Sequence, residues 1–353
     1  MKILIFCLPG IGDALMATPM IRLLKEQIPK ATIEMATMFD TVAYIFKNNK
    51  AVKITYYLSI YRKNKLKGFK SIFDLRKENY DISILGFPSY RREYHIVQWF
   101  AGAKKRFAHR FQKGYFSELH FLDTDLMPVD DNEHNVINNL NILKLLGIDW
   151  QKRHRREDFR YDFVLDQKDT AFGSAYLAKL GWEYGSVVGI HPGSINSPSG
   201  ILKRWSIDHF AKVARYLIKK KKKILIFFGP FEVELGKKLF DLINDRENCR
   251  LIENTKFNES LGILEKLSFL ISNDNGFSHI ANALGVRSII LFGPTNIRWC
   301  SPYNKSITMT IRKANFTPWF SNDMKVTNPP KGAISGMEAI TVKDVIEKIN
   351  EIC

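Results

Sequence analysis

No run of this chain approaches the roughly 18 consecutive apolar residues that a membrane-spanning helix needs, so an integral membrane protein is not expected. Cysteine is scarce: Cys7, Cys249, Cys300 and Cys353 stand far apart, none in a Cys-x-x-Cys pair, and Cys7 falls inside an apolar segment. That pattern excludes a disulfide framework and suits a reduced, cytoplasmic compartment. No cluster of His and Cys occurs along the sequence, so no metal and no cofactor are expected. Acid is in short supply as well, with 36 Asp and Glu against 53 Lys and Arg and a formal net charge of +17. Such an excess implies an anionic partner (nucleic acid, an acidic membrane surface or a phosphorylated substrate) or simply a lysine-rich proteome. The lysines are spread out, and neither a helix-turn-helix nor an RNA-binding signature is present, which makes nucleic acid the least expected partner. Ile3–Leu8 is too short for the apolar core of a secretory leader, and Asp13 follows at once.

What is present is a globular composition, 45% hydrophobic and 12% aromatic over 353 residues, long enough for two domains with full cores. Lys2–Leu8 reads as a buried strand, Ala14–Gln27 as a helix stopped by Pro29, and Ala31–Ala36 as the next strand. This β-α-β unit predicts a parallel sheet with a right-handed crossover. Strands are also expected at Val52–Tyr56 and Ile82–Gly86, with helices at Thr41–Lys47, Tyr90–Ala101 and Glu133–Leu146. Pattern then gives way to charge between Asp149 and Asp166, and alternation resumes from helix Thr170–Leu180 to strand Ser288–Gly293. Thr295–Ser335 reads as irregular and Val342–Ile352 as a last helix. Two doubly wound α/β domains, 1–165 and 166–353, are therefore expected to face a cleft.

Four strand ends of the second half carry chemistry. The segment Ser272-Asn273-Asp274-Asn275-Gly276-Phe277-Ser278-His279 joins an apolar strand to a helix that begins near Gly276. Such a junction aims backbone N–H groups at the carboxyl edge of a sheet, where phosphates bind. Asp274 and Asn275 both suit the turn and N-cap, and Asp274 either accepts hydrogen bonds from sugar hydroxyls or simply caps the turn. His191-Pro192-Gly193-Ser194 opens a loop of small residues that leads to Lys203-Arg204-Trp205, a combination suited to a diphosphate. Glu232, after Gly229-Pro230-Phe231, either meets a ribose or begins a helix, and Phe292-Gly293-Pro294-Thr295 ends the last strand at the same edge. In the first half, Gly10-Ile11-Gly12-Asp13-Ala14-Leu15 has two glycines of a dinucleotide fingerprint but Leu15 in place of the third. Glu34 lies about where a ribose-binding acid would fall, so a nicotinamide-dependent oxidoreductase is the enzymatic alternative. Asp13, however, would repel a phosphate; it is placed as a base or as an N-cap. The basic residues Arg62, Lys63, Lys65, Lys67, Lys70, Lys104, Lys105, Arg106 and Arg110 suit an anionic acceptor, or else form a solvated face.

Taken together and in this order, Gly10–Pro19, His191–Ser194 with Lys203–Trp205, Asn273–Ala281 and Phe292–Thr295 resemble the family 9 glycosyltransferases, and the resemblance spans most of the chain. It implies a GT-B fold of two Rossmann-like domains whose last helix packs back on the first domain, and inverting, metal-independent transfer of a heptose or related sugar from an ADP-sugar. Asp13 matches the family's general base and Lys203 its diphosphate-holding lysine, with Arg204 as the alternative. Ser194 matches a phosphate contact, Glu232 a ribose contact and Asp274 a sugar contact. Gly193, Asn275, Gly276, Ser278, His279 and Thr295 complete the expected donor site; Gly12, Lys104, Arg106 and Arg110 form the expected acceptor side. The implied acceptor is an anionic, lipid-linked glycan such as a lipopolysaccharide core, met peripherally at the cytoplasmic face of the inner membrane. Ser206 stands where a proline is frequent in the family and Asn275 where a threonine is frequent, and relatives using other sugar nucleotides share the same signature. A sugar-nucleotide sensor without activity is disfavoured by Asp13, Lys203 and Asp274.

Overall fold

The computed structural model describes residues 1–58, 65–111, 118–195, 197–313 and 335–352. Arg62 and Lys63 lie outside the described residues, as do the side chains of Lys65 and Lys67. The chain forms two compact units, which divide between Val164 and Leu165.

In the first unit the strands are β1 (Lys2–Cys7), β2 (Thr32–Thr37), β3 (Ile54–Tyr57), β4 (Ile82–Leu85), β5 (Lys105–Arg110) and β6 (Asp125–Pro128). Its helices are α1 (Ile11–Gln27), α2 (Asp40–Phe46), α3 (Lys65–Lys77), α4 (Arg92–Phe100) and α5 (Asn135–Asn141). The strands pair in parallel in the order β3-β2-β1-β4-β5-β6. β1 is continuously apolar after Lys2 because helices cover both faces of such a sheet, and Ile3 to Leu8 are all buried. Helix α1 tolerates Pro19 in its interior. A proline at that position cannot donate to the Leu15 carbonyl; the Thr18 hydroxyl donates to it instead, at 2.7 Å. β5 and β6 were not legible in the sequence, since only Phe107, Ala108 and His109 of β5 are buried and charge flanks them.

The second unit has β7 (Val187–His191), β8 (Lys223–Ile226), β9 (Cys249–Leu251), β10 (Phe269–Asn273), β11 (Ser288–Leu291) and β12 (Thr308–Ile311). Its helices are α6 (Gln167–Leu180), α7 (Pro198–Ile201), α8 (Ile207–Lys219), α9 (Val233–Ile243), α10 (Phe257–Glu265), α11 (Gly276–Ala283), α12 (Ile297–Cys300), α13 (Ser335–Glu338) and α14 (Val342–Ile352). The parallel order is β12-β11-β10-β7-β8-β9, so β12 lies within the stretch expected to be irregular. Helices α6 and α10 approach closely through Gly173 and Gly262, where a Cβ on either would overlap the other helix's backbone. The final helix, expected to reach back to the first half, buries Val345 and Ile349 in the second unit's core with Trp205, Ile289 and Leu291. Each sheet reverses its strand order once, between β1 and β4 in the first unit and between β7 and β10 in the second. Ligands of open parallel sheets bind at the carboxyl edge beside such a reversal.

Candidate active site

In the second unit the loops that leave β7 and β10 lie side by side, and two asparagines tie them together. Asn273 donates to the Pro192 carbonyl at 2.7 Å and accepts from the Trp205 N–H at 3.1 Å. Asn275 is the N-cap of α11: its side-chain oxygen accepts from the Ser278 N–H at 3.1 Å while its amide donates to the Gly193 carbonyl at 2.9 Å. Asn275, and not Asp274, therefore holds the turn. The Ser278 hydroxyl returns to the Asn275 carbonyl at 2.7 Å and belongs to the same cap.

Freed of the capping role, Asp274 is buried and pairs with Lys203, whose Nζ lies 2.9 Å from Oδ2. Arg204 donates to the Ser194 carbonyl at 3.1 Å and to its hydroxyl at 3.3 Å, and stands 3.8 Å from Glu232. The Ser194 hydroxyl itself donates to the Gly200 carbonyl at 2.6 Å. Glu232 accepts from the Gly229 N–H at 2.8 Å and lies 3.8 Å from His191 Nε2. Gly193 lies opposite it, and a Cβ there would force the Glu232 carboxylate out of its present position. Burial lowers the pKa of His191, against the opposing pull of Glu232, which favours a neutral ring. Burial also lowers that of His279, to about 4. Thr295 is buried, and its hydroxyl has no hydrogen-bond partner among the described residues. Lys203, Arg204, Glu232 and Asp274 thus sit as paired charges beside the strand reversal, with the positive end of α11 at the same edge.

In the first unit Asp13 occupies the first turn of α1, which begins earlier than expected, at Ile11. Its carboxylate reaches back to the Gly10 N–H at 3.3 Å, so it is not the N-cap. Gly12 and Asp13 follow β1 at the carboxyl edge, and Arg110, exposed at the end of β5, lies at the same edge. Lys104 and Arg106 do not join them. They flank the start of β5, at the opposite edge, where Lys104 pairs with Asp81 at 2.9 Å. Arg106 donates to the carbonyls of Leu122 at 2.6 Å and Ala103 at 3.0 Å. Strand direction separates residues that the sequence sets only a few positions apart. Glu34 is likewise no ribose ligand: it is buried in mid-strand and accepts from Tyr80 at 2.6 Å and Tyr56 at 3.1 Å, which removes support for the oxidoreductase reading.

One cluster escaped the sequence entirely. His95, His120 and Asp123 bring ligand atoms within 4.8 Å of one another, although 25 positions separate the two histidines. Asp123-Thr124-Asp125 is also an Asp-x-Asp triplet, a pattern that the expectation of no metal passed over.

A family model described as glycosyltransferase family 9 (heptosyltransferase) matches residues 74–328. The chain is 22% identical over 370 residues to lipopolysaccharide heptosyltransferase 2 of Escherichia coli, covering 100% of this chain and 98% of that protein. A solved glycosyl transferase family 9 structure from Veillonella parvula superposes with a TM-score of 0.79 at 18% identity, covering 99% of this chain and 96% of that one. An E. coli heptosyltransferase solved with ADP-2-deoxy-2-fluoro heptose gives a TM-score of 0.69 at 18% identity, with both chains fully covered at 100%. The likeness to these structures is one of fold, and the fold is of the GT-B class.

Proposed function

This chain belongs to glycosyltransferase family 9, and on that premise we propose that it transfers heptose, or a closely related sugar, from an ADP-sugar to a lipopolysaccharide core or a similar anionic glycan. The observation that carries this reading is the paired-charge cluster of Lys203, Asp274, Arg204 and Glu232 at the strand reversal of the second unit. A diphosphate entering there competes with Asp274 for Lys203, because it brings more negative charge and more acceptor oxygens than a single carboxylate. Asp274, released, is left as a hydrogen-bond acceptor for sugar hydroxyls. Arg204, Ser194 and the N-terminus of α11 at Gly276 and Ser278 complete the phosphate side. Glu232 takes the ribose, and the Thr295 hydroxyl, without a partner among the described residues, gains one in the donor.

Transfer then proceeds by displacement with inversion. The Asp13 carboxylate removes the proton from an acceptor hydroxyl, and that oxygen forms a bond to the anomeric carbon from the face opposite the diphosphate. The bond between the anomeric carbon and the diphosphate oxygen breaks, and ADP leaves with its developing charge held by Lys203. Neither a metal nor a cofactor takes part. Gly12 and Arg110 line the acceptor's approach. No helix among the described residues is long and apolar enough to cross a membrane. The +17 charge supports peripheral binding to the anionic cytoplasmic face of the inner membrane, where a lipid-linked acceptor would be found.

Thermal shift against ADP-, UDP-, GDP- and CDP-linked sugars tests the donor. ADP-heptose at 100 times its dissociation constant should stabilise the chain by about 2.7 kcal/mol, and Lys203→Ala should lose most of that shift. A preference for another nucleotide would keep the mechanism and discard the heptose; silence toward every donor would remove the enzymatic reading.

A further inference from the structure

We propose that His95, His120 and Asp123 form a divalent-metal site of the zinc type, which fastens α4 to the chain entering β6. His95 lies on α4, and His120 and Asp123 lie on the turn before β6. Both histidines are buried, with at most 1% exposure, and the Asp123 side chain has none. His95 Nδ1 lies 3.0 Å from each Asp123 carboxylate oxygen, and His120 Nδ1 lies 3.0 Å from Oδ2. The far nitrogens also face acceptors: His95 Nε2 is 3.0 Å from the Ser89 carbonyl and His120 Nε2 is 2.9 Å from a Glu118 carboxylate oxygen.

Donor accounting selects a cation. A neutral imidazole carries one N–H, yet all four ring nitrogens here face oxygens. Two further positive charges are needed between the rings and Asp123, or lone pairs meet lone pairs at hydrogen-bond distance. Two extra protons would make two imidazoliums whose ring centres are 4.8 Å apart, repelling each other in a buried site even with the Asp123 and Glu118 carboxylates beside them. One divalent ion on the two Nδ1 atoms and the Asp123 oxygens supplies the same charge without that repulsion. Imidazole and carboxylate are ligands that zinc accepts. The outer nitrogens are already arranged as at known metal sites, where a ligating histidine gives its other N–H to a carboxylate or a backbone carbonyl. The metal would be structural, and its place in the first unit is independent of the donor site argued above.

Metal content tests this on the full chain. After chelation, reloading with zinc chloride and desalting, the wild type should keep about one zinc per chain. Its cobalt-loaded form should show the visible bands of a tetrahedral nitrogen and oxygen site. Asp123→Asn and His95→Gln, each shown to be folded by circular dichroism, should lose both signals. Excess zinc should raise the Tm of the chelated wild type by about 5–10 °C and leave that of Asp123→Asn unchanged. A folded wild type that keeps less than about 0.1 zinc and gains no Tm would overturn the site and leave protons as its occupants. Equal retention by the wild type and both variants would overturn it too. If neither variant folds, the metal content and Tm shift of the wild type decide.

Discussion

The reversal between β1 and β4 in the first unit is edged by Gly10, Gly12 and Asp13; the one between β7 and β10 in the second is edged by Gly193, Ser194, Lys203, Asp274 and Asn275. The two sheets share a strand order, so the scaffold does not distinguish the halves. The residues after each strand do. One edge offers a carboxylate in the first turn of a helix, a position hostile to a phosphate and suited to a base. The other offers two cations held by two buried carboxylates, a position suited to a diphosphate and its sugars. On the proposed reading, one topology used twice serves acceptor and donor through its loops alone.

The sharpest way to break this comparison is to exchange effects between the halves. Asp13→Asn should lower the transfer rate by about 10²–10⁴-fold while leaving ADP binding within error, since general-base removal acts on the reacting step. Lys203→Ala should do the reverse in emphasis, weakening ADP binding as well as slowing transfer by about 10²–10³-fold. Isothermal titration with ADP, beside steady-state kinetics, separates the two. Equal loss of ADP affinity in both variants would erase the proposed division of labour.

Acid should separate the halves next. Burial holds His109 in the first unit and His279 in the second at about 4, against roughly 6.5 in an unfolded chain. A histidine with a depressed folded value binds protons more readily when unfolded. Stability is therefore whole above pH 6.5 and declines as the pH falls from there to about 4, by up to about 3 kcal/mol for each such group. His191, also held low by burial, adds to the second unit alone. Hydrogen exchange of the chelated, metal-free chain between pH 7 and 4.5 should show protection falling further in the second sheet than in the first. A larger fall in the first sheet would contradict the burial argument.

The smallest effect concerns the two edges of the first sheet. Arg110→Gln should weaken acceptor use, seen as a severalfold rise in the acceptor KM, through the loss of one surface charge worth about 1 kcal/mol. Lys104→Gln, at the opposite edge, should leave KM unchanged, although it removes the pair with Asp81. Matching KM changes would restore the single basic patch that the sequence suggested.

Much of the fold was legible because fully buried strands carry their own pattern. β1, β7 and β10 are short apolar runs ending in glycine or asparagine turns, and α8 and α14 match their expected limits. β5, β6 and β12 lie toward or at sheet edges, where fewer positions must be apolar, and so they looked like charged or irregular chain. The residues proposed to hold the donor could be picked out because each directly follows a strand or lies in a loop that one opens. Their partners could not. The sequence offered Asp274 and Asn275 alike for the cap; that Asn275 takes it and leaves Asp274 to Lys203 depends on which loop lies across from which.

The sequence by itself determined two α/β halves, the strand ends that bear chemistry and the family signature, since those follow from local periodicity and short spacings. Tertiary structure alone decided which charges pair, which edge Lys104, Arg106 and Arg110 occupy, and that His95 meets His120 and Asp123. Those facts are set by strand direction and by packing between segments distant in the chain, which no local pattern encodes.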